Sequence, residues 1–337
     1  MKKELLKVHW GYNSMENKNR MEFSVKTALK DQRVLMIIVI LIISTVVTII
    51  SPKFIDIRNI VAIFQQVSVL GILTMAMALL LISGGIDLSI GNIMVLSGVV
   101  TSKVIMGNGS VALAIILGLL TGLICGFING VIIAKSRCLP LIITLGTSQI
   151  FFGASLMITG GRFMNFQRKF DFIGRTRIFE ILPVMLIFLI VMVVFAFVLL
   201  NYTRFGRRIV AIGGNEKNAY LSGINIDRYK IIIYSISGVI SAIASIVFVS
   251  RLDSITATAG TGYELKALTA AIIGGVTFDG GKGTIGGAFI GVLLLGIINN
   301  AMNILSVWPY AQTAISGAII VLAVILSNLE NIQKDRR

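Results

Sequence analysis

The stretch LLLISGGIDLSIGNIMVL, residues 79–96, decides the fold. Aliphatic residues run up to Gly84 and Gly85, a carboxylate follows at Asp87, Gly91 and Asn92 come next, and the aliphatic run then resumes. Between Asn59 and Ser102, Asp87 is the only ionisable residue. An ionised group at membrane depth costs about 2.5 kcal/mol or more, so it faces a cavity, a partner or the water boundary. Glycines weaken a continuous helix. Irregular backbone at that depth survives only when buried in protein or lining a wet cavity. Two readings stay open. One is a short turn between spans with Asp87 as an interfacial cap, which Ser83, Ser89 and Asn92 also suit. The other is a break that lines a transport path, and both can hold at once.

The rest of the chain supports a membrane setting. Of 337 residues, 56% are hydrophobic and 13% charged, against about 25% charged in soluble domains. Residues 34–50 and 181–200 carry no charge, and a span needs roughly 20 mainly apolar residues. The net charge of +15 does not imply nucleic acid, because the Lys and Arg residues lie between apolar runs, where they orient spans. His9 is the only histidine and lies in the polar tail. This argues against histidine metal sites and Ser/His or Cys/His catalysis. Cys125 and Cys138 read as small apolar side chains, so no metal and no catalytic residue is expected.

The apolar runs predict about ten spans, near 34–50, 58–76, 78–101, 111–134, 140–159, 181–200, 229–250, 265–280, 284–304 and 311–328. Residues 1–33 read as a cytoplasmic tail before an uncleaved first span, 34–328 as a single membrane domain, and 329–337 as a cytoplasmic tail. Basic-residue bias puts both termini and the segment 201–228 inside. Residues 160–180 are basic yet fall outside by parity, and their mix of Phe, Ile and charge suits a short interfacial helix. Gly118, Gly122 and Gly126 make overlapping G-x-x-x-G patterns that read as helix packing.

A second break, AAIIGGVTFDGGKGTIGGAFIGVLLLG at 270–296, repeats the grammar of the first: apolar run, Gly274 and Gly275, Asp279, more glycines, apolar run. By the span count the two lie five spans apart, which predicts inverted-repeat halves with Gly-interrupted segments near 83–92 and 274–283. Matched interruptions in two halves point to a transport path. The fold class expected is an all-α polytopic membrane protein. GGKGT is not a P-loop, because the spacing demands Gly where Val276 stands and Ser or Thr where Gly283 stands.

Four stretches carry a family resemblance: SGGIDLSIG (83–91), RFGRRIVAIGGNEKNAYLSGI (204–224), AGTGYELKALTAAIIGGVTFDGGKGTIGG (259–287) and GIINNAMNILSV (296–307). In this order they resemble the permease subunits of bacterial ABC importers of the ribose/galactose/xylose type, ribose permeases foremost, over roughly 34–328. The resemblance implies a ten-span subunit in the cytoplasmic membrane that works as a pair with a second permease copy. It also implies a separate sugar-import ATPase, which binds ATP and Mg so that this chain needs no cofactor, and an extracytoplasmic sugar-binding protein. It marks Arg207, Arg208, Asn215, Glu216, Ala219 and Gly223 as candidates for coupling to the ATPase. It places 160–180 on the receiving side, where Arg162, Arg168, Lys169, Arg175 and Arg177 are candidates for docking the binding protein.

A neutral, hydroxyl-rich cargo needs polar but largely uncharged lining. The candidates are Ser83, Asp87, Ser89, Asn92, Asn299, Asn300 and Asn303, although the three late asparagines also suit hydrogen bonds between helices. Within the family, galactose, xylose, an autoinducer furanone or a nucleoside are alternative cargoes. An ion-coupled secondary transporter is the reading from another class, disfavoured because Asp87 is the only carboxylate expected at mid-membrane.

Overall fold

The computed structural model describes residues 32–166, 168–178 and 182–335. The tail expected over 1–33 lies outside them up to residue 31, as do His9, Arg336 and Arg337. The helices run α1 (Gln32–Ile50), a short 3-10 turn (Pro52–Ile55), α2 (Ile57–Ile82), α3 (Ile90–Met106), α4 (Val111–Ser136) and α5 (Pro140–Thr159). After strand β1 (Met164–Asn165) come α6 (Phe172–Arg175), β2 (Arg177–Ile178) and β3 (Leu182–Pro183). Then follow α7 (Val184–Tyr202), α8 (Arg204–Gly214), α9 (Glu216–Leu221), α10 (Ile226–Leu252), β4 (Ser254–Ile255), α11 (Tyr263–Ile273), α12 (Ile285–Ile304) and α13 (Pro309–Asp335).

Among the described residues, seven helices are long and apolar enough to cross a membrane: α1, α2, α4, α5, α7, α10 and α12. The apolar helices α3 and Pro309–Ile325 are shorter. Helix α11, with 11 residues, rises only about 16 Å. Two expected boundaries therefore move. The run 58–101 divides at 83–89, and the span expected over 265–280 is α11 followed by a turn. The cause is burial: every residue of α2 from Val67 to Ile82 is buried, so hydropathy stays high up to the break.

Helices α2, α10 and α12 form the centre, because most of each apolar stretch is buried against other helices. Helices α1, α4, α5 and α7 sheathe them and leave Leu41, Ile124, Ile142 and Ile150 exposed. Lipid tails are as apolar as Leu, so close packing holds such helices together. The expected glycine pattern does this. Gly122 and Gly126 of α4 lie so close to Gly238 of α10 that a Cβ on Gly238 would overlap the Gly122 carbonyl oxygen.

The bundle has two ends. At one, Thr203 caps α8 by accepting from Gly206 N at 2.9 Å. Helix α8 buries Gly206, Ile209 and Ile212 and exposes Arg204, Arg207 and Arg208, the pattern of a helix lying in the membrane surface. At the other end β1 pairs antiparallel with β4, over buried Phe166 and Phe170. The interfacial helix expected in 160–180 is here only the four-residue α6, and the surface helix is α8 instead.

Both Gly-interrupted segments are breaks between helices, and they meet. Gly281 N donates to Ile82 O at 2.9 Å, and a Cβ on Gly280 would come 2.9 Å from the Gly84 Cα. Inverted counterparts would enter from opposite ends, so the pairing of 83–92 with 274–283 is corrected. The segment mirroring 83–89 is 253–262. It too follows a long helix, of 27 residues against 26, and precedes a short one, of 11 against 17. It enters from the β4 end, and Gly260 reaches the backbone of Gly91. Ile86 O is bonded by Tyr234 and Gly98 abuts Ser245, so Gly91 lies level with the middle turns of α10.

Candidate translocation site

The first break is held by side chains from four helices. Ser83 Oγ donates to Leu80 O at 2.7 Å and closes α2; Gly84 then turns with φ +78°. Tyr234 of α10 donates its hydroxyl to Ile86 O at 2.9 Å, and Leu88 N donates to Thr144 Oγ1 of α5 at 3.2 Å. Asp87 Oδ1 accepts from Ser89 N at 2.8 Å and Ser89 Oγ at 2.5 Å. Asn129 of α4 donates to Ser89 Oγ at 2.8 Å and, more weakly, to Asp87 Oδ2 at 3.4 Å. Asn92 Nδ2 of α3 donates to Ser148 Oγ at 2.8 Å. Helix breaks inside a bilayer persist because neighbouring groups satisfy the freed backbone in this way.

Ser83, Asp87, Ser89 and Asn92 are thus brought together. Asp87, Ser89 and Asn129 are 0% exposed, so the carboxylate reaches no open space in this form. Among the described residues no Lys or Arg pairs with it. Asn129 was not anticipated, and its Oδ1 is buried with no hydrogen-bond partner.

The mirrored break at 253–262 brings further charges into the bundle. Glu264 Oε1 accepts from Gly262 N at 3.1 Å, and its other carboxylate oxygen faces Gly91. Lys266 Nζ stands 5.8 Å from the Tyr263 ring centroid, a cation–π distance. Glu264 and Lys266 are both half-buried. Asp87 is therefore not the only carboxylate within the bundle.

The late asparagines separate. Asn300 and Asn59 donate to each other at 2.8 and 3.0 Å and clamp α12 to α2. Asn303 Oδ1 accepts from Gln312 Nε2 at 3.1 Å, joining α12 to α13. Asn299 lies instead in a notch with Lys266, Thr269 and Ser316.

At the α8 end, Asn215 caps α9 by accepting from Asn218 N at 2.9 Å. Gly223 leaves the helix with φ +80°. Glu216 pairs with Lys230 at 2.8 Å, tying α9 to α10. Arg208 donates to the Tyr229 hydroxyl and lies 5.5 Å from that ring's centroid. Ala219 is buried, whereas Arg207, Tyr220 and Leu221 are exposed. A cleft of about 1230 Å³ runs between α9 and the α4–α5 connection and reaches Gly84, lined by Arg137, Leu139, Glu216 and Tyr220 among others. At the opposite end Arg168 N donates to the Asp253 carboxylate at 2.9 Å, and Lys169 Nζ donates to Asn108 Oδ1 at 3.1 Å. Arg162 and Arg177 are exposed, and the Arg175 side chain is outside the described residues.

Long apolar helices, a side-chain-satisfied break and a second break that meets it define a polytopic membrane permease. The chain belongs to the family described as branched-chain amino acid transport system / permease component, which it matches over residues 59–324. It is 42% identical over 284 residues to a ribose import permease protein of Bacillus subtilis (strain 168), covering 83% of this chain and 88% of that one. Its identity to the ribose import permease protein of Escherichia coli (strain K12) is 38% over 310 residues, 91% and 96% of the two chains. To the L-arabinose transport system permease protein of the same strain it is 36% over 303 residues, 90% and 92%. No solved structure matches the chain.

Proposed function

We propose that this chain is the membrane-spanning subunit of an ATP-driven importer that carries a monosaccharide, ribose foremost, into the cytoplasm. The observation that carries the reading is identity of 36–42% over most of the chain to permeases named for ribose and L-arabinose. The uncharged polar groups around the breaks suit a neutral polyol. A partner ATPase binds at the α8–α9 end, which is cytoplasmic. There Arg207, Arg208, Asn215, Glu216 and Gly223 form the contact surface, buried Ala219 seats α9 beneath it, and Tyr220 and Leu221 offer it exposed apolar groups. A sugar-binding protein docks at the β1–β4 end on Arg162, Arg168, Lys169, Arg175 and Arg177. A second permease copy completes the path, beside which Ser83, Asp87, Ser89, Asn92, Asn299, Asn300 and Asn303 either line the way or hold its shape.

The family description supports a second cargo class, a branched-chain amino acid. Uptake by the complex of this chain with its ATPase and binding protein, in proteoliposomes with ATP, separates the cases. D-ribose uptake that requires ATP hydrolysis is expected. Uptake of leucine but no sugar would favour the second cargo. Uptake that needs no ATP and follows a proton gradient would point to an ion-coupled carrier.

A further inference from the structure

We propose that the mirrored break forms a wet wall of the cargo path, where Glu264 accepts a hydrogen bond from a hydroxyl of the passing sugar. The sugar contact rests on the monosaccharide reading above; the wet wall does not. Residues 256–262 form neither helix nor strand. Gly260 packs on the Gly91 backbone, which sets this segment near the middle turns of α10. Thr258 and Thr261, on either side of Gly260, are exposed, and a Cβ on Gly262 would meet nothing within 4 Å. Irregular backbone does not face lipid within the hydrocarbon; it is buried in protein or lines a water-filled cavity. The first break meets this demand by burial, with Asp87 and Ser89 0% exposed. The mirrored break leaves one face open, toward the second permease copy as the opposite wall.

Glu264 decides between a wet wall and a dry contact. Its Oε1 accepts from Gly262 N at 3.1 Å, the carboxylate's one hydrogen bond among the described residues. Its Oε2 lies where Gly91 has no side chain, since a Cβ there would come 2.5 Å from that oxygen. Among the described residues no Lys or Arg pairs with it, and Lys266 stands over the Tyr263 ring instead. An ionised carboxylate offers about four acceptor positions. At membrane depth and without a cation it is costly unless it reaches water or polar partners. The half-buried Glu264 therefore calls for hydroxyl donors, which water supplies at rest and a sugar supplies in transit. Hydrogen bonds to an ionised acceptor are about twice as strong as neutral ones. A carboxylate that only accepts favours a neutral, hydroxyl-rich cargo over an anion. The hydroxyls of Thr258 and Thr261, on the same segment, both donate and accept.

The test uses the complete complex in lipid nanodiscs, with Cys138→Ser removing the exposed native thiol. Thr258→Cys and Thr261→Cys are each reacted with two water-soluble methanethiosulfonates, one cationic and one anionic. The reaction is run without nucleotide and with a non-hydrolysable ATP analogue. Labelling in at least one state is expected, while Ile124→Cys on the exposed apolar side of α4 stays unlabelled. Glu264→Gln should cut the cationic-to-anionic rate ratio at Thr261→Cys roughly tenfold, because one unpaired charge acts oppositely on the two reagents. In proteoliposomes with ATP, Glu264→Gln should slow D-ribose uptake roughly tenfold, as a charged acceptor becomes a neutral one. The 2-deoxy, 3-deoxy or 5-deoxy form that lacks the engaged hydroxyl should slow by less than about twofold. The same binding protein serves every variant, so its own preference cancels from ratios between variants. Threonine positions unlabelled in both states would show a face covered by protein or lipid and overturn the wet wall. An unmoved reagent ratio, unchanged uptake or equal slowing of all four sugars would overturn the contact with Glu264. If Glu264→Gln fails to assemble by size-exclusion chromatography, Glu264→Asp keeps the charge, draws it back by one methylene and carries the sugar comparison. If the unaltered complex takes no ribose, the monosaccharide reading fails separately, and the labelling still decides the wall.

Discussion

Asp87 holds its bend through bonds that stay within arm's reach: two from Ser89 and one from Asn129. Asp87→Asn preserves the shape and the acceptor for Ser89 N. A flipped Asn129 amide would then turn its unpartnered Oδ1 toward the new amide group. Transport and thermal stability near those of the unaltered chain are therefore expected. Asp87→Leu removes every acceptor and leaves buried donors unpaired, each costing about 1–3 kcal/mol. A lower melting temperature in detergent and loss of assembled complex should follow. A stable, fully assembled Asp87→Asn protein with abolished uptake would instead assign the carboxylate to the path. The residue itself was legible in the sequence because a charge and glycines interrupt an aliphatic run. Its partner Asn129 was not, since CGFINGVII reads as continuous packing helix. Thr144 and Ser148 are ordinary for a membrane helix until the fold sets them against the break.

At the level of elements, backbone proximity is the organising constraint. Gly122 and Gly238 touch with no room for a side chain, so Gly238→Leu must push α4 off α10. Overpacking of this kind typically costs about 1–3 kcal/mol and occasionally more. The expected result is a large fall in folded yield, measured by size-exclusion chromatography. Gly146→Ala, at a position with nothing near its Cβ, should be tolerated. The G-x-x-x-G reading survived contact with the structure because spacing alone encodes it. The mirrored break did not emerge, because RLDSITATAGTGYE looks like an ordinary polar loop. Nothing local says that the chain dips back into the bundle there. Lys266 was lost for the same reason: it sat at an expected span boundary, where a lysine is unremarked.

For the whole molecule, the two ends make opposite demands. The β1–β4 end presents Arg162 and Arg177 to solvent, whereas Arg168 N and Lys169 are already engaged by Asp253 and Asn108. Reversing Arg162 and Arg177 to Glu should weaken binding-protein docking, measured by calorimetry on the reconstituted complex. The difference from the unaltered chain should shrink as salt rises, because exposed charges are screened; a docking affinity unmoved by these reversals would remove them from that surface. The α8 end differs in kind. There Gly213 stands against the Ile82 carbonyl, Gly84 and Gly281, so that a Cβ on Gly213 would overlap the Ile82 oxygen. Three chain segments thus touch through bare backbone, and the bond from Gly281 N to Ile82 O ties two of them together. Nothing compressible lies between them. A thrust on the surface helix would therefore reach α2's break and the turn before α12 across one peptide thickness, and would carry both along as a unit.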